Sequence, residues 1–217
     1  MRAVCHLAVV GGSGSGKTWL SERLVEHFAP EASVVSLDSF YRDLTPLSMP
    51  EREAVNFDDP EAIDWEAVAR CVQELDARGE TVIPRYDFAS HTRLAVGERL
   101  SAKRVVVWEG LWLLWADWLR ERFCWTVFIE CDAGERLRRR VERDRRERGR
   151  TELSVRRQFE STVSPMHERH VEPQRGWAKA RVESPFGEET MRVLFEEARC
   201  HVDAAMGERI ERTGGRV

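Results

Sequence analysis

Asparagine occurs once in this 217-residue chain, at Asn56, and lysine three times, at Lys17, Lys103 and Lys179. The one asparagine is followed by Phe57, so there is no Asn-Lys-x-Asp guanine reader, which argues against a GTPase. The five cysteines form no C-x-x-C pair, which removes the usual zinc-ribbon and thioredoxin signatures. Cys5 and Cys131 sit in apolar runs and read as buried thiols, so a reduced, cytoplasmic setting is the default expectation. No apolar run approaches the ~20 residues of a membrane span, and Met1 to Val10 is too short for a signal peptide. Cationic charge is not in excess: the net charge is -4, which argues against a non-specific nucleic-acid binder. What is present, 42% hydrophobic and 33% charged residues, suits one sizeable α/β domain over residues 1–217.

Strand and helix patterns alternate along the chain. Val4 to Val10 is a buried-strand pattern entering a glycine cluster. Thr18 to Phe28 has near-helical apolar spacing and is stopped by Pro30. Ser33 to Leu37, Arg104 to Trp108 and Thr126 to Glu130 read as further strands. Asp43 to Asp59 reads as loop, Trp65 to Arg78 as a helix stopped by Gly79, and Thr81 to Leu94 as a hairpin. Leu111 to Arg122 reads as a Trp-rich helix, and Thr190 to Met206 as a last helix before a frayed Gly214-Gly215 end. The alternation predicts a mainly parallel sheet with helices on both faces, whose ligands bind beyond the carboxyl ends of the strands.

Three strand ends carry candidate chemistry. The first is Gly11-Gly12-Ser13-Gly14-Ser15-Gly16-Lys17-Thr18, which fits the P-loop pattern. Glycines let backbone N–H groups turn inward as an anion nest, and the following helix adds its positive end. Lys17 would then reach the β- and γ-phosphates of ATP, and Thr18 would ligate Mg²⁺. The second is Asp38, an acid placed to orient a hydroxyl nucleophile and take its proton. The third is Glu109, where a carboxylate can hold Mg²⁺ or its water shell.

These blocks resemble the uridine kinase (uridine–cytidine kinase) family of P-loop kinases. The likeness runs from Gly11–Thr18 through Asp38-Ser39-Phe40-Tyr41-Arg42, Asn56-Phe57-Asp58-Asp59-Pro60, Pro84 to Arg93, Glu109-Gly110 and Arg139 to Arg150, then on to Gln158 and Pro165. It implies the P-loop NTPase fold and transfer of the ATP γ-phosphate to the 5′-hydroxyl of uridine or cytidine, a step of pyrimidine salvage. It implies Asp38 as general base, with Lys17 on the phosphates and Thr18, Asp38 and Glu109 around Mg²⁺. Asp58 matches the ribose-hydroxyl acceptor, Tyr86 and His91 match the residues that read the base edge, and residues 82–94 form the base-binding hairpin. Tyr41, Phe57 and Phe88 are candidate walls for the base. Residues 135–150 match a lid, with Arg143 and Arg148 on phosphate and Arg140, Arg150 and Gln158 toward the nucleoside. The family tends to form oligomers, so a homo-oligomer stays open.

Taken on their own, most arginines between Arg136 and Arg150 read as a solvated, salt-bridged helix, with Arg136, Arg140, Arg143 and Arg150 on one face. His167 and His170 form an H-x-x-H without a third ligand nearby and read as exposed polar residues. Two departures from the family stand out. Trp19 replaces a small residue, and the Ala178 to Pro185 segment weakens the usual apolar strand, so no adenine contact is carried over. A P-loop kinase for another small hydroxyl substrate such as a phosphosugar, or an ATP-binding regulatory protein without activity, are the alternatives.

Overall fold

The computed structural model describes residues 4–214, with side chains described up to residue 207. Five strands form one parallel sheet: β1 (Cys5–Gly11), β2 (Ala32–Ser36), β7 (Val105–Gly110), β8 (Phe123–Cys131) and β9 (Ala180–Ser184), in the order β2-β7-β1-β8-β9. β1 and β7 are buried at every position, because helices cover both faces of the sheet. Period-2 alternation divides their side chains between two cores. Leu7, Val9, Val105 and Val107 pack on Leu20 and Leu24 of α1 (Lys17–His27) and on Leu194, Ala198 and Val202 of α8 (Glu188–Gly214). Ala8, Val10, Val106 and Trp108 pack on the other side against Val68, Val72 and Leu75 of α3 (Trp65–Arg78).

The α3 helix starts on Asp64, whose carboxylate accepts from Ala67 N–H, and stops at Gly79, held at φ 72° where a side chain would be strained. Expected and observed elements part at several places. Within the Asp43–Asp59 stretch, Met49–Glu53 forms a short helix, α2, capped reciprocally by Ser48 and Glu51. The expected hairpin is two nested pairs: β3 (Glu80–Ile83) with β6 (Glu98–Ser101), and inside them β4 (Tyr86–Asp87) with β5 (Thr92–Arg93). Leu111 to Arg122 is not one helix; only α4 (Asp117–Arg120) is helical. Leu111, Trp112, Leu113 and Leu114 are all buried, so their apolarity reflects core burial from a turn rather than a helical face. Gln174 supplies the backbone bonds a helix would have made, accepting from Leu114 N–H (2.9 Å) and donating to Leu111 C=O (2.7 Å).

The weakened segment after Gln158 still forms a strand. β9 alternates buried Ala180, Val182 and Ser184 with exposed Arg181 and Glu183, as an edge strand with one solvated face does. Before it, α6 (Glu152–Gln158) continues through a π-turn (Phe159–Val163) into α7 (Ser164–Met166) and a second π-turn (His167–Val171). Gly215 of the expected frayed end lies outside the described residues. No helix among the described residues is long and apolar enough to cross a membrane.

Candidate active site

β2, β7 and β1 are neighbours, so their carboxyl ends bring the three candidate groups side by side. In register, Ser36 lies opposite Glu109, which lies opposite Val9, two residues before the glycine loop. Beyond them opens a cavity of about 670 Å³. Lys17, Thr18, Asp38 and Glu109 line one end, and Tyr41, Phe57, Asp58, Phe88 and His91 line the other. Arg140, Arg143, Arg148, Arg150 and Gln158 cover it from the side.

The glycine loop is shaped by contact as well as by conformation. Gly14 and Gly16 have φ of 82° and 102°, which favour glycine. A Cβ on Gly14 would collide with Arg136 C=O, so any side chain there would drive the loop away from α5 (Ala133–Arg148). Lys17 is half-buried and its ammonium donates to Gly12 C=O (3.0 Å). Burial pulls its pKa below the ordinary lysine value, while Glu109 and Asp38 oppose that shift.

Glu109 is a buried carboxylate held by two hydroxyls: Ser36 donates to Oε1 (2.6 Å) and Thr18 to Oε2 (3.3 Å). Burial raises its pKa first, and the neighbouring Asp38 raises it further. The buried Glu109, the half-buried Asp38 and the exposed Thr18 hydroxyl line the same cavity as a hard oxygen set, the kind that suits Mg²⁺. Among the described residues no three or more His, Cys, Asp or Glu gather into a metal cage.

The aromatic end is built by the inner hairpin. Arg93 on β5 donates to Tyr41 C=O (2.8 Å), Phe40 C=O (3.1 Å) and Asp64 (2.9 Å), which fastens the hairpin to the segment that follows Asp38. Tyr41 donates to Phe57 C=O (3.1 Å) and meets the Phe57 ring edge-on. His91 stacks on Phe57 at 4.7 Å and is the one described non-glycine residue with positive φ, 54°. A histidine held in the left-handed region, in a cavity wall, is a strained position of the kind found at ligand clamps. Burial and Arg148 lower its pKa against the opposing pull of Glu53 and Asp87, so the ring is neutral at pH 7. Asp58 is buried, and burial raises its pKa against the opposing Arg140.

Over this cavity lies the arginine segment. Arg143 grips Asp144 Oδ1 with Nε (2.9 Å) and Nη2 (2.8 Å), and Arg148 Nε lies 3.9 Å from the same oxygen. Arg150 and Arg140 face Asp144 Oδ2 at 3.5 and 3.7 Å. Four guanidiniums thus surround one fully buried carboxylate. The excess positive charge points into the cavity, where it attracts an anion such as a polyphosphate.

A family model described as "Phosphoribulokinase / Uridine kinase family" matches residues 6–188. This chain belongs to that family. It is 39% identical over 173 residues to a uridine kinase from Deinococcus deserti, covering 79% of this chain and 84% of the relative. It is 34% identical over 167 residues to a uridine kinase from Halobacterium salinarum, covering 77% and 74%. A solved kinase from Silicibacter sp. TM1040, ascribed to a fructose transport system, superposes with TM-score 0.71 at 24% identity, covering 84% of this chain and 91% of that one. That last likeness shows the fold alone. The protein is a phosphotransferase with the P-loop kinase architecture.

Within this kinase the expected site residues are brought together with three differences. Tyr86 does not line the cavity; its ring packs behind Tyr41 (5.4 Å) and Phe88 (5.4 Å), and its hydroxyl is buried without a partner. Arg150 is not on the helical face, because α5 ends at Gly149 (φ 62°); it returns to the cluster from the following turn and donates, as Arg140 does, to Gln158 Oε1. The expected 135–150 lid is divided. Arg136, Arg139 and Arg140 bind its first half to the glycine loop: Arg139 donates to Ser15 C=O (3.3 Å), Arg140 to Ser13 Oγ (2.8 Å), and Arg136 lies against Gly12 and Gly14. The second half, from Arg143 to Arg150, faces the cavity.

Two positions escaped the sequence reading. Asp144 stands four residues from both Arg140 and Arg148, a spacing that marks a helical ion-pair hub, but nothing local says that it is buried. His167, expected exposed, is 12% exposed in its side chain. Trp19 packs outside the loop on Phe186 at 5.6 Å with Arg23 over its ring, so its bulk is accommodated at the surface.

Proposed function

We propose that this kinase uses ATP and Mg²⁺ to phosphorylate the 5′-hydroxyl of a pyrimidine ribonucleoside, uridine or cytidine, in a single P-loop domain. The observation that carries the reading is the make-up of the acceptor end: stacked Phe57 and His91, the Tyr41 wall and the buried Asp58 all open onto the same cavity as Asp38. Flat rings suit a base, and a carboxylate can accept hydrogen bonds from two ribose hydroxyls at once.

In this reading Asp38 accepts the proton of the attacking hydroxyl, and Lys17 with the glycine-loop N–H groups holds the β- and γ-phosphates. Thr18, Asp38 and Glu109 would hold Mg²⁺, which neutralises charge on the phosphates when bound. Arg143 and Arg148 complete the positive enclosure, while Arg140, Arg150 and Gln158 brace the nucleoside side. Tyr86 supports Tyr41 and Phe88 from behind rather than touching the base.

The test is ADP release with Mg²⁺-ATP and a panel of uridine, cytidine, purine nucleosides and phosphosugars. Turnover of uridine or cytidine is expected, and none with either pyrimidine nucleoside sinks the proposal. His91→Ala should raise the nucleoside KM and spare the KM for ATP. The pH dependence follows from the lowered His91 pKa. The folded-state value lies below the usual 6.5, so the neutral ring persists at and above neutrality and the proton arrives only in more acid solution. Nucleoside KM should therefore be level from pH 8 to neutrality and rise only in more acid solution, and His91→Gln should flatten that rise. A rise already complete at pH 7 would show His91 charged there and overturn the base-edge role.

A further inference from the structure

His167 lies beneath the cavity and has no role in the reading above. It opens the second π-turn, and such turns are frequent at functional sites. Its Nε2 faces Glu172 Oε2 at 3.4 Å, while Nδ1 is buried and has no hydrogen-bond partner. The ring presses on the glycine loop: a Cβ on Gly12 would lie 2.8 Å from Nδ1. Beside it is a small cavity of about 10 Å³, lined by Ser13, Asp58, Leu111, Val163, His167 and Val171. That is about the smallest space that admits one water, and a buried water needs two to four polar partners. Ser13, Asp58 and His167 offer three.

The donors and acceptors close consistently. Burial, with Arg136 and Lys17 nearby, pushes the His167 pKa down to about 3, so the ring is neutral and carries one proton. The Glu172 carboxylate favours that proton on Nε2, which leaves Nδ1 an acceptor. Ser13 Oγ already accepts from Arg140 Nη1 (2.8 Å), so its own hydrogen is free to donate. A water in the cavity would accept from Ser13 and donate to His167 Nδ1 and to Asp58, using three of its four bonds.

We propose that His167 is a positioning residue that fixes the Asp58 carboxylate through one buried water, and that this water joins the glycine loop to the acceptor end of the cavity. The assignment rests on the nucleoside reading for its functional meaning. With the water in place, one Asp58 oxygen is engaged from below and the carboxylate plane is set for two hydroxyls above. Arg140, Ser13, the water and Asp58 then form a single chain from the lid to the acceptor.

The experiment compares His167→Leu, His167→Asn and His167→Gln in steady-state kinetics, with ring ¹⁵N NMR of the wild type and of Asp58→Asn. Asn carries its oxygen near the place of Nδ1, and Gln near that of Nε2. The leucine variant should raise nucleoside KM roughly tenfold with kcat and the KM for ATP within about twofold. Asn should restore most of that loss and Gln should not. The ring spectrum should show a neutral histidine protonated on Nε2, with an Nδ1 resonance that moves in Asp58→Asn. Equal rescue by Gln, an unchanged nucleoside KM in the leucine variant, or a proton on Nδ1 would overturn the proposal. A wild type that turns over no pyrimidine nucleoside would instead overturn the nucleoside reading, and the ring spectrum would still decide the water.

Discussion

Asp38→Asn should lower kcat about a thousandfold, within the range expected for loss of a general base and equivalent to about 4 kcal/mol of barrier. The carboxylate stands in the turn that follows β2, at the cavity end shared with Lys17, Thr18 and Glu109. Asparagine keeps the shape and loses both the proton acceptor and the charge. ATP binding should persist, because the glycine loop and the arginine cluster are untouched. Stability should not fall. Asp38 raises the pKa of Glu109 and of Asp58, so its charge opposes the ionisation of two buried neighbours. A group whose folded-state pKa is raised loses stability as pH rises through that value, and removing Asp38 reduces this loss above the carboxylate range. The same charge supports the Lys17 ammonium, so the two effects oppose and the variant should melt near the wild-type temperature at pH 7 while losing turnover. A kcat within tenfold of wild type would remove Asp38 from the chemistry, and a lowered Tm with lost ATP binding would assign the defect to folding.

The largest stability effect should come from Asp144→Ala, a residue that touches no substrate in the proposed reaction. Its carboxylate is fully buried and faces Arg140, Arg143, Arg148 and Arg150. Without it these guanidiniums lose their common counter-charge. Arg140, which is itself buried, would be left with like charges and only Asp58 in opposition. Breaking a buried pair from one side costs about 3–5 kcal/mol. For a chain of this size that is roughly 10 °C in Tm. Asp144→Asn keeps an acceptor for Arg143 and should fall between the two. Polyphosphate should rescue much of the loss, because an anion in the cavity restores the counter-charge. Thermal melts with and without ATP decide it, and a Tm within 2 °C of wild type would refute the hub.

Some of this was legible from local pattern. The β1 run, the glycine loop and the α1 spacing lie within about twenty residues, and short-range sterics define them. Asp38, Asp58, His91 and Glu109 were legible as motif members because each sits at a strand end or in a distinctive block. The Leu111 to Arg122 misreading shows the limit. Its apolar residues are buried by contact with residues far along the chain, and Gln174, about sixty residues on, holds the turn open. Tyr86 shows the same limit within the site, since its block could be recognised but the packing of Tyr41 and Phe88 decides which face it turns inward.

By itself the sequence determined the strands β1, β2, β7 and β8, the phosphate loop and the acids at the strand ends, because backbone geometry and strand polarity follow from neighbours along the chain. The tertiary structure alone decided which charges are buried together. Asp144 among its arginines, Arg136 and Arg139 on the glycine loop, and His167 beneath Asp58 depend on α5 and the π-turns packing over the sheet. Burial multiplies the energy of a charge or an unpartnered nitrogen, and burial is a property of the packed molecule, not of any segment.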